Sequence, residues 1–223
     1  METKYKIHLW VVGKGWKLFE VDRNSKELKD RNISIGDRAS IGDGASIGDR
    51  ASIVDGASIG NGASIGYRAS IGNDASIGNG ASIGDDASIG DDASIGNGAS
   101  IGYRASIGDG ASIGNDASIG DRASIGYRAS IGNGASIGNG ASIGYRASIG
   151  DHVKLIKCIY IMGSKYPVTY VGNKRISVGC HTHTFTEWLR DYKKIAKSDN
   201  ASQAVIKEYK GYIDTIIKII GRK

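Results

Sequence analysis

Four dipeptides in this chain set a phenol ring beside a guanidinium: Tyr67-Arg68, Tyr103-Arg104, Tyr127-Arg128 and Tyr145-Arg146. Together the two groups can stack on a base and pair with a phosphate. These eight residues are therefore the candidate surface for a small anionic ligand such as a nucleotide. Interface packing plus solubility is the plainer account of the same pairs. A second pattern lies in Cys180-His181-Thr182-His183, where two imidazoles alternate along the chain. In an extended strand His181 and His183 would share one side, as two ligands of one zinc ion do. A strand leading into a capped helix explains that segment without metal. The remaining histidines are His8 and His152. Gly13-Lys14-Gly15 is not a phosphate loop, because the required glycine spacing and the following Ser or Thr are absent. The Asp-rich stretches lack the nine-residue arrangement of calcium-binding solenoids. Outward serines without paired threonines argue against ice binding.

What must position these residues is a six-residue period. From Ile35 to Ile149 an isoleucine returns every six residues, twenty times, in the frame Ala-Ser-Ile-Gly-x-x. Six residues are too few for a helical pair or a propeller blade, but they fit one short strand and one corner of a three-sided solenoid. Three hexads make a coil, so residues 18 apart stack along the axis. Strand alternation sends Ala and Ile inward and Ser outward. Glycine follows Ile in nineteen hexads, with Val54 the exception, and the next position is Asp nine times, Asn seven times and Tyr four times. Asn and Asp tolerate left-handed backbone angles, which predicts the sharp corner there. The corners also sort by column. One column (43–44, 61–62, 79–80, 97–98, 115–116 and 133–134) holds only Asn, Asp and Gly, whereas all four Tyr and all seven Arg of the repeat fall on the other two. In one of these Arg50, Arg68, Asp86, Arg104 and Arg122 stack, with Asp86 set to relieve the repulsion between its neighbours. A bare column would let another subunit approach closely.

The hexads from Ile35 to Ile149, with Ala39, Ala45 and their successors, are similar to the hexapeptide-repeat family. That resemblance covers about 120 residues and implies a left-handed parallel β-helix and a homotrimer, neither of which the period alone supplies. With about 4.8 Å between stacked strands, nearly seven coils make a rod roughly 30 Å long. Acyl transfer is the family's commonest activity, with a histidine as general base and the acyl-CoA, commonly acetyl-CoA, in a groove between subunits. Here the pattern departs at the decisive point: no hexad between Ile35 and Gly150 contains histidine, and no long loop leaves the rod. His152, at a corner of the last regular coil, is the only histidine placed as such bases often are, and is the catalytic candidate of that alternative. The γ-class carbonic anhydrases of this fold draw three histidine ligands from successive coils, a spacing missing here. The stretch Tyr160–Tyr170, with Ile176–Thr184 and Trp188, resembles the C-terminal segment of hexapeptide-repeat proteins of phages and prophages. That likeness implies no activity.

Outside the rod the sequence divides into residues 1–32, an N-terminal β-hairpin cap with strands Tyr5–Val12 and Trp16–Val21; 33–152, the β-helix; 153–183, an irregular final coil or β segment; and 184–223, a C-terminal helical hairpin. Thr184 and Glu187 form a capping box, and a second helix is expected over about Ala201–Ile220, with Gly221 as its stop. Its apolar stripe must fold onto the rod's open end or pack with its copies in a trimer. Net charge is +6, but the repeat holds seven Arg against thirteen Asp, while residues 153–223 hold fourteen basic and five acidic groups. The acidic rod and basic end favour contact with each other or with an anionic partner; a solvated basic face is the blander account. Two cysteines, Cys158 and Cys180, make no disulfide framework. The N-terminus has no apolar stretch long enough for a signal peptide and no run of eighteen apolar residues occurs, so the expectation is a cytoplasmic or virion protein without a membrane span. Nothing signals sequence-specific nucleic-acid binding. The sequence therefore predicts an all-β solenoid: a non-catalytic homotrimeric rod that binds a small anionic ligand or scaffolds. Acyl-CoA-dependent transfer through His152 and a zinc site at His181 and His183 are the alternatives.

Overall fold

The computed structural model describes residues 3–155, 159–199 and 201–221, and for Tyr160 and Gly221 the backbone only. Cys158 thus lies outside the described residues.

Each hexad supplies one two- or three-residue strand, from β3 (Ser34–Ile35) to β22 (Ser148–Ile149), followed by β23 (Lys154–Leu155). Strands 18 residues apart pair in parallel, Ser76 with Ser94 and Ile77 with Ile95, and so throughout. Three sheets result, and they close a prism of about seven turns, consistent with the expected left-handed parallel β-helix. We call the sheet through Ala45–Ile47 the first wall, that through Ser52–Ile53 the second and that through Ser58–Ile59 the third. The isoleucines and alanines fill the inside; Ile53, Ile65 and Ile71 are fully buried.

The corners differ from the sequence expectation in a way that explains the repeat. The left-handed residue is the second corner position, not the first: Arg68, Asp86, Arg104 and Asp116 have φ between +55° and +57°. Asn and Asp at the first position serve a different purpose. Their side-chain oxygen accepts the backbone N–H of the corner one coil earlier, as in Asn79 N–H to Asn97 Oδ1 and Asn97 N–H to Asn115 Oδ1, both 2.8 Å. A corner N–H would otherwise have no partner in the ladder. In the bare column this relay is unbroken from Asp43 to Asp151. Along most of the rod the glycine after isoleucine answers to space rather than to backbone angle. A Cβ on Gly96 would lie 2.5 Å from Asn115 N and 2.6 Å from the Gly114 carbonyl carbon, so the coils would have to part.

The N-terminal hairpin pairs β1 (Tyr5–Val11) with β2 (Gly15–Val21), and β1 adds in parallel to Ala45–Ile47 at the end of the first wall. The polar stretch after it carries a short helix the sequence did not announce, α1 (Lys26–Lys29), whose Leu28 is fully buried over the first coil.

Of the irregular coil or β segment expected after the rod, the described residues show the latter. It forms a four-stranded antiparallel sheet of β24 (Tyr160–Met162), β25 (Pro167–Tyr170), β26 (Arg175–Val178) and β27 (His181–Thr184). The helices α2 (Phe185–Ser198) and α3 (Gln203–Gly221) pack on that sheet around Val168, Ile176, Trp188, Tyr209, Ile213 and Ile216. The apolar stripe is therefore covered by a sheet of the same chain, which neither sequence option provided for. The Thr184–Glu187 capping box is present. Val171 and Leu155 join the rod's core and tie the two bodies together. Trp188 Nε1–H donates to the buried Ile176 carbonyl at 2.8 Å. Trp188→Phe keeps most of the apolar volume but removes that hydrogen bond, and should lower the stability of this region by about 0.5–1.5 kcal/mol in a denaturant titration. A change within error would show that the bond contributes nothing net.

Candidate functional site

The eight Tyr and Arg candidates do not form one site. Tyr67-Arg68 and Tyr103-Arg104 lie on the corner between the first and second walls, and Tyr127-Arg128 and Tyr145-Arg146 on the corner between the second and third. All eight side chains are exposed. Every arginine of the repeat occupies the left-handed second position, where glycine fits freely at Gly62, Gly80 and Gly140. A non-glycine residue there costs of order 1 kcal/mol or more. Asp74, Asp86, Asp92 and Asp116 bear the same cost at the same position. Arg104, Arg128 and Arg146 each lie over their neighbouring tyrosine, 5.0–5.3 Å from the ring centre. Arg68 instead pairs with Asp86, Nε to Oδ1 3.2 Å.

The two tyrosines of adjacent coils behave as a unit. Tyr127 and Tyr145 stack with centroids 5.6 Å apart and planes 8° from parallel. The stack leads into a cleft of about 680 Å³ between the last coils and the antiparallel sheet. Tyr145, Arg146 and Ser148 line it from the rod; Lys165, Tyr166 and Thr182 line it from the sheet. The cleft thus offers two cations, two phenol rings and several hydroxyls within a volume in the range of small-molecule sites, about 300–1,000 Å³.

Helix α3 holds the far side of this cleft in place. Tyr209 Oη accepts the N–H groups of Lys165 (2.9 Å) and Tyr166 (2.6 Å) and donates to the Tyr166 carbonyl (2.9 Å). Gly163 is needed for that approach, because a Cβ there would stand 2.5 Å from Tyr209 Oη. Glu208 accepts both the N–H and the hydroxyl of Ser164 at 2.7 Å. These bonds from the Ser164 hydroxyl, then from its N–H, hold the Glu208 carboxyl below the usual range. A lowered carboxyl value means that its contribution to the fold is complete above the ordinary Glu range and fades as pH falls through the lowered value. Acidification should therefore lower the hydrogen-exchange protection factor of the Ser164 amide, taken against the intrinsic rate at each pH, and Glu208→Gln should remove most of that pH dependence. Equal dependence in both proteins would contradict the tether.

The zinc candidates come together but are already engaged. The His181 and His183 rings stack at 6.2 Å. However, His181 Nε2 faces Asp199 Oδ2 at 2.9 Å and His183 sits edge-on against Trp188 at 5.1 Å. Among the described residues no group of three His, Cys, Asp or Glu side chains converges as a metal site would require. His152 lies at the end of the bare column, exposed, with φ +55°. One strand of the third wall separates it from Arg146. Sequence reading missed Lys165, Tyr166, Ser148 and Thr182 as site residues, since only the fold brings the turn of the antiparallel sheet to the rod's last coil.

A family model described as bacterial transferase hexapeptide (six repeats) matches residues 68–103. That match supports the hexapeptide-repeat family. Its two coils lie within the regular part of the rod. No curated protein matches the chain. Among solved structures, the acetyltransferase domain of PglB from Neisseria gonorrhoeae FA1090 is 19% identical over 51% of each chain, with a TM-score of 0.39. LpxA from Acinetobacter baumannii is 16% identical over 62% of each chain, with a TM-score of 0.45. UDP-N-acetylglucosamine acyltransferase from Campylobacter jejuni is 19% identical over 79% of this chain and 93% of its own, with a TM-score of 0.34. The chain spans about half the length of the first of these, 51%. Among the described residues no helix is long and apolar enough to cross a membrane.

Proposed function

We propose that the chain is a ligand-binding rod, assembled as a homotrimer, that takes a small anionic molecule carrying an aromatic ring, a nucleotide in the simplest case. The supporting observation is the cleft where Arg146 and Lys165 meet the Tyr145 and Tyr166 rings and the Ser148 and Thr182 hydroxyls. Guanidinium and ammonium groups pair with phosphate oxygens, the phenols receive the base, and the hydroxyls suit the ribose. The column of Asn, Asp and Gly corners, free of bulky side chains, supports close approach of a second and third copy. A phage-type role as a spacer or sequestering protein, in cytoplasm or virion, accords with a rod whose coils are nearly interchangeable.

Calorimetric titration with ATP, CoA and inorganic phosphate tests the reading. Saturable binding of the nucleotides with Kd below about 1 mM, and weaker binding of phosphate alone, is expected. Equal affinity for all three would remove the role of the rings, and absence of heat with all three would end the proposal. Light scattering should return three times the mass of the 23.4 kDa chain; a monomer would refute the trimer.

The family match over residues 68–103 favours a second reading, acyl transfer from acetyl-CoA. CoA carries an adenine nucleotide, the chemistry that the cleft suits. His152 is the residue of the repeat's end able to take a proton from an acceptor. Turnover of acetyl-CoA with a panel of amino and hydroxyl acceptors, abolished in His152→Ala, would establish it. Nucleotide binding without turnover would leave the binding rod.

A further inference from the structure

We infer a second, chemically opposite site at the other end of the rod: a groove for a neutral saccharide where the N-terminal hairpin meets the first wall. Trp10 and Trp16 face one another across the hairpin, with ring centroids 5.7 Å apart and planes at 79°. Both rings are unusually open for tryptophan, 46% and 44% exposed. With Tyr67, 38% exposed, they border a groove of about 380 Å³ whose floor carries Asp49, Ser64 and Asp85. Three exposed rings, two of them tryptophan, gathered at one end of the rod call for an occupant.

The polar groups say what kind. No lysine or arginine is among the residues lining the groove; Arg31 pairs with Asp49 and Arg50 lies over the Tyr67 ring from outside it, so the lining presents two carboxylates where the cleft presents two cations. A carboxylate accepts two hydrogen bonds per oxygen and donates none, which matches the adjacent hydroxyls of a sugar ring. The apolar C–H face of that ring lies flat against indole or phenol. Asp49 lines the groove with a part-exposed side chain, while its buried Oδ1 makes no hydrogen bond and faces Arg31 Nε in an ion pair at 3.9 Å. The corner relay also stops at Asp49, because the residue 18 positions on is Tyr67, whose side chain holds no oxygen at that place. Asp85, in contrast, is committed at Oδ1 to the Tyr67 N–H at 2.7 Å and keeps its other oxygen for a ligand. The groove lies on the corner between the first and second walls, away from the bare column, so the trimer proposed above leaves it accessible. A mono- or disaccharide fits its volume.

Intrinsic fluorescence reports on this directly. Two of the three tryptophans lie at the groove, and Trp188, 3% exposed, is a silent reference. The whole chain is titrated with cellobiose, maltose, lactose and N,N′-diacetylchitobiose. At least one should shift the emission with Kd of about 1 mM, and Trp16→Ala and Tyr67→Ala should each weaken it about tenfold or more. Circular dichroism and melting of these surface variants should match the parent. Asp85→Asn should weaken the same saccharide, while Arg146→Ala should leave it unchanged. A panel without any response would overturn the proposal, as would undiminished binding by Trp16→Ala. If Trp16→Ala instead lowers the oligomeric mass with no saccharide response, the rings serve self-association and the saccharide site is wrong. Failure here leaves the nucleotide titrations untouched, since the two sites share no residue.

Discussion

Deleting Asn97, Gly98 and Ala99 should disrupt the rod, whereas deleting 97–102 or 97–114 should not. The three-residue cut leaves Gly96 followed by Ser100, so Ile101 arrives half a hexad early. Ile101, Ile107 and Ile113, each 2% exposed in the native chain, would then turn away from Ile83, Ile89 and Ile95. Removing a buried Ile side chain costs about 2–5 kcal/mol, so misplacing three should exceed about 5 kcal/mol at that junction. The six-residue cut joins Gly96 to Tyr103 and keeps the frame, rotating everything downstream by one wall. The 18-residue cut joins Gly96 to Asn115 and keeps both frame and column. Each coil contacts only its neighbours, so losing one whole coil subtracts from stability only in proportion. Thermal melts followed by far-UV circular dichroism would decide it: a three-residue deletion melting with the parent would contradict the account of the repeat.

The second large effect concerns the cleft. Arg146→Ala combined with Lys165→Ala removes both cations that the rod and the sheet contribute. A hydrogen bond to a charged group is worth about 1.5–3 kcal/mol, so losing two should weaken nucleotide binding about 100-fold or more. Because both side chains are solvated, the parent affinity should also fall with added salt, and the double variant should lose that dependence. Tyr145→Ala should cost about 1–3 kcal/mol with the salt dependence retained, separating stacking from charge. Arg68→Ala is the control: it lies on a different corner and is paired with Asp86, so affinity should not change. Comparable losses from Arg68→Ala and Arg146→Ala would mean diffuse attraction rather than a site.

The rod was legible because its chemistry is local and repeated. Ile at an interval of six and Ser facing out left one economical closure, and the pairing of Ser76 with Ser94 follows from it. The corner was legible in residue type but not in cause. Asn and Asp were expected for their left-handed angles, yet they act as acceptors for the neighbouring coil. Single-sequence reasoning about turns looks along the chain, and this bond runs across it. The β character after the rod was legible, but its pairing into a separate antiparallel sheet was not, for a related reason. Val153–Met162 shows apolar content but no period, and its pairing with segments up to Thr184 is fixed by packing against α2 and α3 rather than by local pattern. The cleft inherits that gap: Tyr145 and Arg146 could be nominated from the sequence, but Lys165 and Thr182 become their neighbours only through Tyr209 and Glu208 anchoring the turn.

Distance measurement by pulsed electron paramagnetic resonance tests the stacking of coils most directly. Spin labels at Ser40 and Ser148, both outward on the third wall, lie six parallel strand steps apart. Labelled chains diluted with unlabelled ones exclude contributions between subunits. Six steps of about 4.8 Å place the backbones roughly 29 Å apart, and a narrow distribution near that value is the expected result. A broad distribution, or a mean beyond about 45 Å, would show that residues 18 apart do not lie on one another.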